Sequence, residues 1–169
     1  MSGFKDHFSG HAQTYAAARP GYPAALFGWI AGLPAAREQA WDAGCGNGQA
    51  AVALAGFFTS VMASDPSAEQ VAQAPRHERI DFRVEAAEDC SLPDASVDVV
   101  CVAQALHWFD LARFLATVDR VLKPGGALVA WTYETCRVDA AVDAVFDVLY
   151  RERLGPWWPP ERRLVESGY

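Results

Sequence analysis

The stretch Trp41-Asp-Ala-Gly-Cys-Gly-Asn-Gly48 constrains the fold more than any other part of the chain. Glycines at 44, 46 and 48 let the backbone turn tightly and let a ligand approach where a Cβ would clash. The residues before them, Gln39–Ala43, read as a strand, and Gln49–Phe57 reads as a buried helix of small residues. Strand, glycine turn and helix in that order place free amide N–H groups at the carboxyl end of a parallel sheet. Open α/β folds bind nucleotide-like ligands there.

The rest of the chain supplies the other parts of such a sheet. Strands are expected at Ser60–Ser64, Ile80–Val84, Val97–Val102 and Ala127–Trp131. Val97–Val102 is apolar on both faces, as a central parallel strand should be. Between them lie helical patterns. Leu26, Trp29, Ile30 and Leu33 share one face, with Pro34 as a stop. Ser67-Ala-Glu-Gln70 has capping-box spacing. Asp110 caps a helix whose expected stripe is Leu111, Phe114, Leu115, Val118 and Leu122, and Pro124-Gly-Gly126 is the turn after it. Asp139–Leu154 is the last helix, with Val142, Val145, Phe146 and Leu149 on one face, and Gly155-Pro-Trp-Trp-Pro-Pro160 then breaks regular structure. The expected fold is α/β, Rossmann-like: a mainly parallel sheet with helices on both faces. A single domain over 1–169 divides into an N-terminal lid and helix (1–35), a core (36–135) and a C-terminal helix with a Trp/Pro tail (136–169).

Composition removes several function classes. Half of the 169 residues are apolar, and the net charge is −7 without a basic stripe, a poor match to a nucleic-acid backbone. No apolar run approaches the roughly 18–20 residues of a membrane span. Four cysteines, at 45, 90, 101 and 136, form no C-x-x-C pair, and the polar N-terminus carries no signal-peptide core. Free thiols in a cytoplasmic protein are the expected state. His7 and His11 have i, i+4 spacing, but no cysteine or matching acid beyond Asp6 supports them as metal ligands, so no metal is expected.

The glycine pattern also selects among ligands. The dinucleotide fingerprint G-x-G-x-x-G would need a glycine at position 49, which is Gln49. The acid Asp42 stands two residues before Gly44. A carboxylate is unfavourable beside a pyrophosphate, but favourable beside the sulfonium and ammonium groups of S-adenosylmethionine (SAM). Asp65, at the end of the second strand and about 20 residues beyond the loop, matches the position of a ribose-binding acid. An ordinary helix-capping role ahead of Pro66 is the alternative.

With these residues in place, the sequence resembles the class I SAM-dependent methyltransferases of the small-molecule, type-11-like group. The segments Ala87-Glu-Asp-Cys-Ser-Leu-Pro-Asp-Ala-Ser-Val-Asp98, Ala103-Gln-Ala-Leu-His-Trp-Phe-Asp110 and Leu122-Lys-Pro-Gly-Gly126 carry the resemblance, with Tyr15 and Arg19-Pro-Gly-Tyr-Pro23. It implies that Ala87 and Glu88 border the adenine and that Ala103 and Gln104 lie beside the methionine moiety. It also implies that Tyr15 and Arg19 close over that end, with Arg19 pairing the SAM carboxylate. The Ala103–Asp110 run and the late Leu-Gly-Pro-Trp-Trp-Pro-Pro-Glu-Arg-Arg run are similar to the trans-aconitate methyltransferase-like branch, which methylates small molecules including carboxylates. The expected reaction gives S-adenosylhomocysteine and a methylated oxygen or nitrogen of a small molecule.

His107 and Trp108 are expected to face that acceptor. A carboxylate is already ionised at neutral pH, so His107 is expected to position rather than to abstract a proton. Cys45 is expected to fill space, and Trp157 and Trp158 to pack as a tail on the body. The resemblance implies a further antiparallel hairpin after the fifth strand. No period-2 run after Leu154 supplies it, so the chain is expected to be shortened or a fragment. Ala127–Trp131 is then an uncharged edge that could recruit a second copy. Two other functions remain open: a SAM-binding protein without methyl transfer, and a nicotinamide-dependent oxidoreductase.

Overall fold

The structure is a computed structural model that describes residues 21–133 and 135–169. The chain divides into two compact units, one up to Trp131 and one over Thr132–Tyr169. Tyr15, Arg19, His7 and His11 lie outside the described residues.

The first unit is built on β1 (Gln39–Ala43), β2 (Ser60–Asp65), β3 (Ile80–Val84), β4 (Val97–Ala103) and β5 (Leu122–Trp131). They form one sheet in the order 3-2-1-4-5, and every pair is parallel. This is the expected doubly wound architecture. Among the described residues no antiparallel pair occurs, and β5 is an edge. Alternation along the strands divides the core in two. Ala40, Val61, Ala63, Val99, Cys101 and Val129 join α1 (Ala24–Ile30) and α2 (Gln49–Leu54) on one face. Trp41, Met62, Val100 and Val102 join α4 (Leu111–Val121) on the other. The short α3 (Ala68–Ala72) follows β2.

The caps act as expected. Ser67 Oγ accepts from Gln70 N, and Asp110 Oδ1 accepts from Arg113 N. The helical faces are displaced from those expected. α1 ends at Ile30, so Leu33 has no helical period to follow; Phe27 and Ile30 are buried, while Trp29 is 58% exposed. In α4 the buried set is Phe114, Thr117, Val118 and Val121, and Leu115 is exposed. That helix ends at Val121, so Leu122 is already strand. β5 also begins before the expected Ala127. Its register steps from Val97↔Leu122 to Val99↔Ala127, so Lys123–Gly126 bulges out opposite Asp98.

That bulge is pinned by a buried ionic knot. Asp98 accepts from the amides of Glu38 (2.8 Å) and Gln39 (2.9 Å), and its other oxygen lies 2.9 Å from Lys123 Nζ. Lys123 also reaches Glu38 Oε2 at 2.6 Å. One carboxylate thus ties the starts of β1, β4 and β5. Burial alone would raise its pKa, but the Gln39 amide, Lys123 and the Glu38 amide together hold it below the ordinary carboxylate value.

The second unit contains α5 (Ala140–Asp147), whose first turn is capped by Asp139 accepting from Ala141 N and Val142 N. It widens into a π-helical stretch over Val148–Arg153 and ends in α6 (Arg162–Glu166). Of the face expected to be buried, Val142, Val145 and Leu149 are exposed, with Val145 at 74%, while Phe146 is half-buried and stacks on Tyr150. Trp157 is 84% exposed, and Trp158 is half-buried beside Tyr150.

Candidate functional site

The parallel arrangement brings the carboxyl ends of all five strands to one edge of the sheet, and the glycine loop emerges there from β1. Gly44, Gly46 and Gly48 have φ of +69°, +54° and +85°. Gly44 is required twice over. A Cβ there would stand 2.6 Å from Ala105 Cβ and 2.9 Å from Phe109 Cζ, in addition to the strain of positive φ. A Cβ at Gly48 would meet the Phe82 ring at 2.7 Å. The loop is held to β2 by Gly44 N and Cys45 N, both donating to the Ser64 carbonyl at 2.8 and 2.9 Å.

Asp65 completes this attachment. Its Oδ2 accepts from Gly46 N and its Oδ1 from Ser67 N, each at 2.9 Å. The side chain therefore fixes the loop from below and starts the turn through Pro66 into α3. Burial raises its pKa above the ordinary carboxylate value, against the lowering effect of the Ser67 and Gly46 amides. A carboxylate offers about four lone-pair positions. Two are used, so both oxygens retain capacity for further donors.

Asp42 is fully buried below the loop, on the α1/α2 face. Its charge reaches two neighbours. Burial first, and Asp42 second, push the thiols of Cys45 and Cys101 well above their ordinary pKa, and Asp65 adds to the effect at Cys45. Cys45 is thus a buried thiol and not an activated nucleophile.

The other strand ends carry the remaining expected residues. Ala87 is buried, and with Glu88 it forms a 3₁₀ turn (Ala87–Asp89) after β3. Glu88 Oε1 accepts from Asp110 N at 2.8 Å, and its carbonyl accepts from Thr117 Oγ1 at 2.8 Å, so Glu88 joins this turn to the start and the middle of α4. Ala103 ends β4. Gln104 follows in left-handed conformation, φ +60°, held by its amide donating to the Trp131 carbonyl at 2.9 Å. Such a conformation is uncommon for a non-glycine residue and concentrates at functional sites. His107 and Trp108 share a 3₁₀ turn (Leu106–Trp108), both half-buried, with ring centroids 4.7 Å apart.

Gly44, Gly46, Gly48, Asp65 and Pro66 are thus one connected unit, and Ala105 and Phe109 bring the β4 loop against it. Ala87 and Glu88 are joined to α4, and His107 and Trp108 meet each other in the turn after β4. Sequence reasoning missed the role of Ser64, which shows only as a small polar residue before Asp65. It also missed the cluster of Tyr22, Phe27 and Trp131, whose rings meet edge to face at 5.5–6.3 Å. Trp131 Nε1 is buried there without an acceptor.

The residues present fit a SAM-like ligand. Asp65 has spare acceptor positions, and Gln49 Oε1, at the junction of loop and α2, is a buried acceptor without a donor. Both suit a ligand rich in hydroxyl and amino donors. No phosphate-binding third glycine is present. Among the described residues there is no cluster of metal-ligating side chains, and no helix is long and apolar enough to cross a membrane. An open cleft of about 330 Å³ at the opposite edge of the sheet, near Ser60 and Ile80, is remote from all of these groups.

Comparison with known proteins agrees with this geometry. Residues 41–130, more than half of the chain, match the family described as Methyltransferase domain. A Dictyostelium discoideum protein named as a methyltransferase is 36% identical over 98% of this chain, which spans 65% of that relative. A Saccharomyces cerevisiae protein, named as an S-adenosylmethionine-dependent methyltransferase, is 32% identical over 68% of this chain and 43% of its own length. A solved structure from Anaeromyxobacter dehalogenans, named as a type II methyltransferase, superposes with a TM-score of 0.79 at 54% identity. It covers 88% of this chain, which spans 63% of that structure. On the family match, the sheet order and the glycine loop together, the chain belongs to the class I SAM-dependent methyltransferases.

Proposed function

We propose that this chain binds SAM at the glycine loop and that its protein transfers a methyl group to an oxygen or nitrogen of a small molecule. The cofactor supplies an electrophilic methyl group on a sulfonium. The observation that carries the reading is Asp65, a carboxylate at the end of β2 that holds the loop through Gly46 N and keeps acceptor capacity for two ribose hydroxyls. Gly44, Gly46 and Gly48 shape the loop, and Asp42 supplies negative charge beneath it. Pro66 turns the chain away behind Asp65. Ala87 and Glu88 border the adenine, and Ala103 and Gln104 the methionine moiety, with Tyr15 and Arg19 closing over that end. His107 and Trp108 orient the acceptor, supported by their tilted ring contact in the turn after β4. Most of the rate then comes from alignment of the reacting atoms and exclusion of water.

The Ala103–Asp110 and Leu154–Arg163 runs favour the trans-aconitate methyltransferase-like branch, and with it a carboxylate acceptor. Four free cysteines, three of them buried, support a reducing cytoplasmic setting. Calorimetric titration with S-adenosylhomocysteine is expected to give roughly micromolar affinity, about −8 kcal/mol, and NAD to give no heat. Binding of NAD in place of S-adenosylhomocysteine would overturn the assignment.

Self-association through the β5 edge belongs to the same reading. Ala127–Trp131 carries no charge, and its outer hydrogen-bonding groups face no further strand in the described sheet. Sedimentation of the chain is expected to show a concentration-dependent dimer that Leu128→Lys, at a partly exposed position, diminishes. A mass that stays monomeric at the highest soluble concentration excludes it.

A further inference from the structure

The Thr132–Tyr169 unit contains a cleft of about 430 Å³ whose walls include Tyr150, Arg151, Trp158, Arg162, Arg163 and Glu166. At its centre one guanidinium lies over two adjacent aromatic rings, whose centroids are 5.3 Å apart. Arg162 Cζ is 4.8 Å from the Tyr150 ring centroid and 4.7 Å from that of Trp158. The two rings are fixed to each other, because Trp158 Nε1 donates to the Tyr150 carbonyl at 3.2 Å. Contact with both rings restricts the planar fork before any ligand arrives.

Two donors in this arrangement lack an acceptor. Tyr150 Oη and Arg162 Nε are both buried without a hydrogen bond. Glu166 Oε1 lies 4.0 Å from Arg162 Nε, beyond hydrogen-bonding reach. Buried donors without partners are costly and rare in folded proteins, and two in one cleft indicate a missing acceptor. The charge has the same sign as the donors. Three arginines and one glutamate line the cleft, and Arg151 already has Asp147 as a partner at 3.4 Å. The remaining wall, from Trp158 to Pro160, is apolar.

We propose that this cleft is a binding site for the carboxylate of a small organic acid, with Tyr150 O–H and Arg162 Nε–H as donors and the Trp158–Pro160 wall against its apolar body. The site is independent of the cofactor assignment, and its test uses no cofactor. Benzoate and its neutral isostere benzamide are the probes, titrated into the full chain by calorimetry and followed by thermal melting. Benzoate is expected to bind and to raise the melting temperature, and benzamide to do neither. Tyr150→Phe deletes only an unpaired hydroxyl. It is expected to leave the melting temperature of the free chain unchanged or higher, yet to weaken benzoate about tenfold. Arg162→Lys keeps the charge, loses the planar fork and is expected to weaken benzoate by at least as much. The proposal is overturned if benzoate does not bind, if benzamide binds equally, or if Tyr150→Phe keeps full affinity. Inorganic phosphate binding as tightly as benzoate would overturn the organic-acid assignment.

Discussion

Replacing Asp65 with alanine is expected to weaken S-adenosylhomocysteine binding about a hundredfold, near 2.7 kcal/mol. Hydrogen bonds to a charged acceptor contribute about 1.5–3 kcal/mol each, and in the proposed site this side chain accepts from two ribose hydroxyls. The same substitution releases Gly46 N, so the loop loses part of its fixed shape as well. Asp65→Asn separates the two contributions. It preserves a carbonyl oxygen for the loop but removes the charge. An unchanged affinity in Asp65→Ala would mean that the acid serves only the turn into α3.

This group also sets the sign of a pH effect. Burial places the Asp65 pKa above 3.8, with the Ser67 and Gly46 amides acting against that rise. The protonated acid cannot accept from both hydroxyls. Affinity is therefore expected to fall as the pH drops from neutral through this raised value, and Asp65→Asn to show no such fall. Stability moves the other way across that window. Between 3.8 and the raised value the folded chain binds more protons than the unfolded one, so ionisation of Asp65 lowers stability as the pH rises.

The strands and caps were legible in the sequence because they depend on neighbours close along the chain. Gln39–Ala43 follows from its place before the glycine turn, Ile80–Val84 from its alternating Ile80, Phe82 and Val84, and the caps Ser67 and Asp110 from a spacing of three residues. The glycine loop was legible because positive φ leaves a compositional trace. The helical faces were not, since the sheet beneath decides which side of a helix is covered, and α1 is too short for its period to decide. Arg162 over the adjacent rings of Tyr150 and Trp158 depends on a π-helical stretch and a proline turn that no periodicity announces. Asp98 was invisible for the simplest reason. Its partners lie 60 residues before it and across a bulge in β5, while in the sequence it looks like a polar residue at the start of a strand.

That carboxylate carries the largest expected effect on stability. Asp98→Ala is expected to cost about 3 kcal/mol, because it leaves two amides and a lysine without their shared acceptor at a buried position. Lys123 keeps Glu38 and some access to water, which holds the cost to the lower end of what breaking a buried ion pair entails. For a chain of this size the melting temperature should fall by about 6–12 °C. Asp98→Asn, which retains one acceptor oxygen, should lose about half as much. The pKa directions add a check in acid. Asp98 is held below 3.8, so its contribution is complete above that value and disappears as the pH falls through its lower folded pKa. Acid unfolding of the wild type should therefore steepen below 3.8, where Asp98→Asn should already have lost the effect. The knot lies at the start of the strands, and the glycine loop lies at their end. The folded fraction of Asp98→Ala is thus expected to bind S-adenosylhomocysteine with wild-type affinity, while its denaturation midpoint drops. A large loss of affinity with little change in stability would show that the knot governs the site by setting strand register, and not the strength of the sheet.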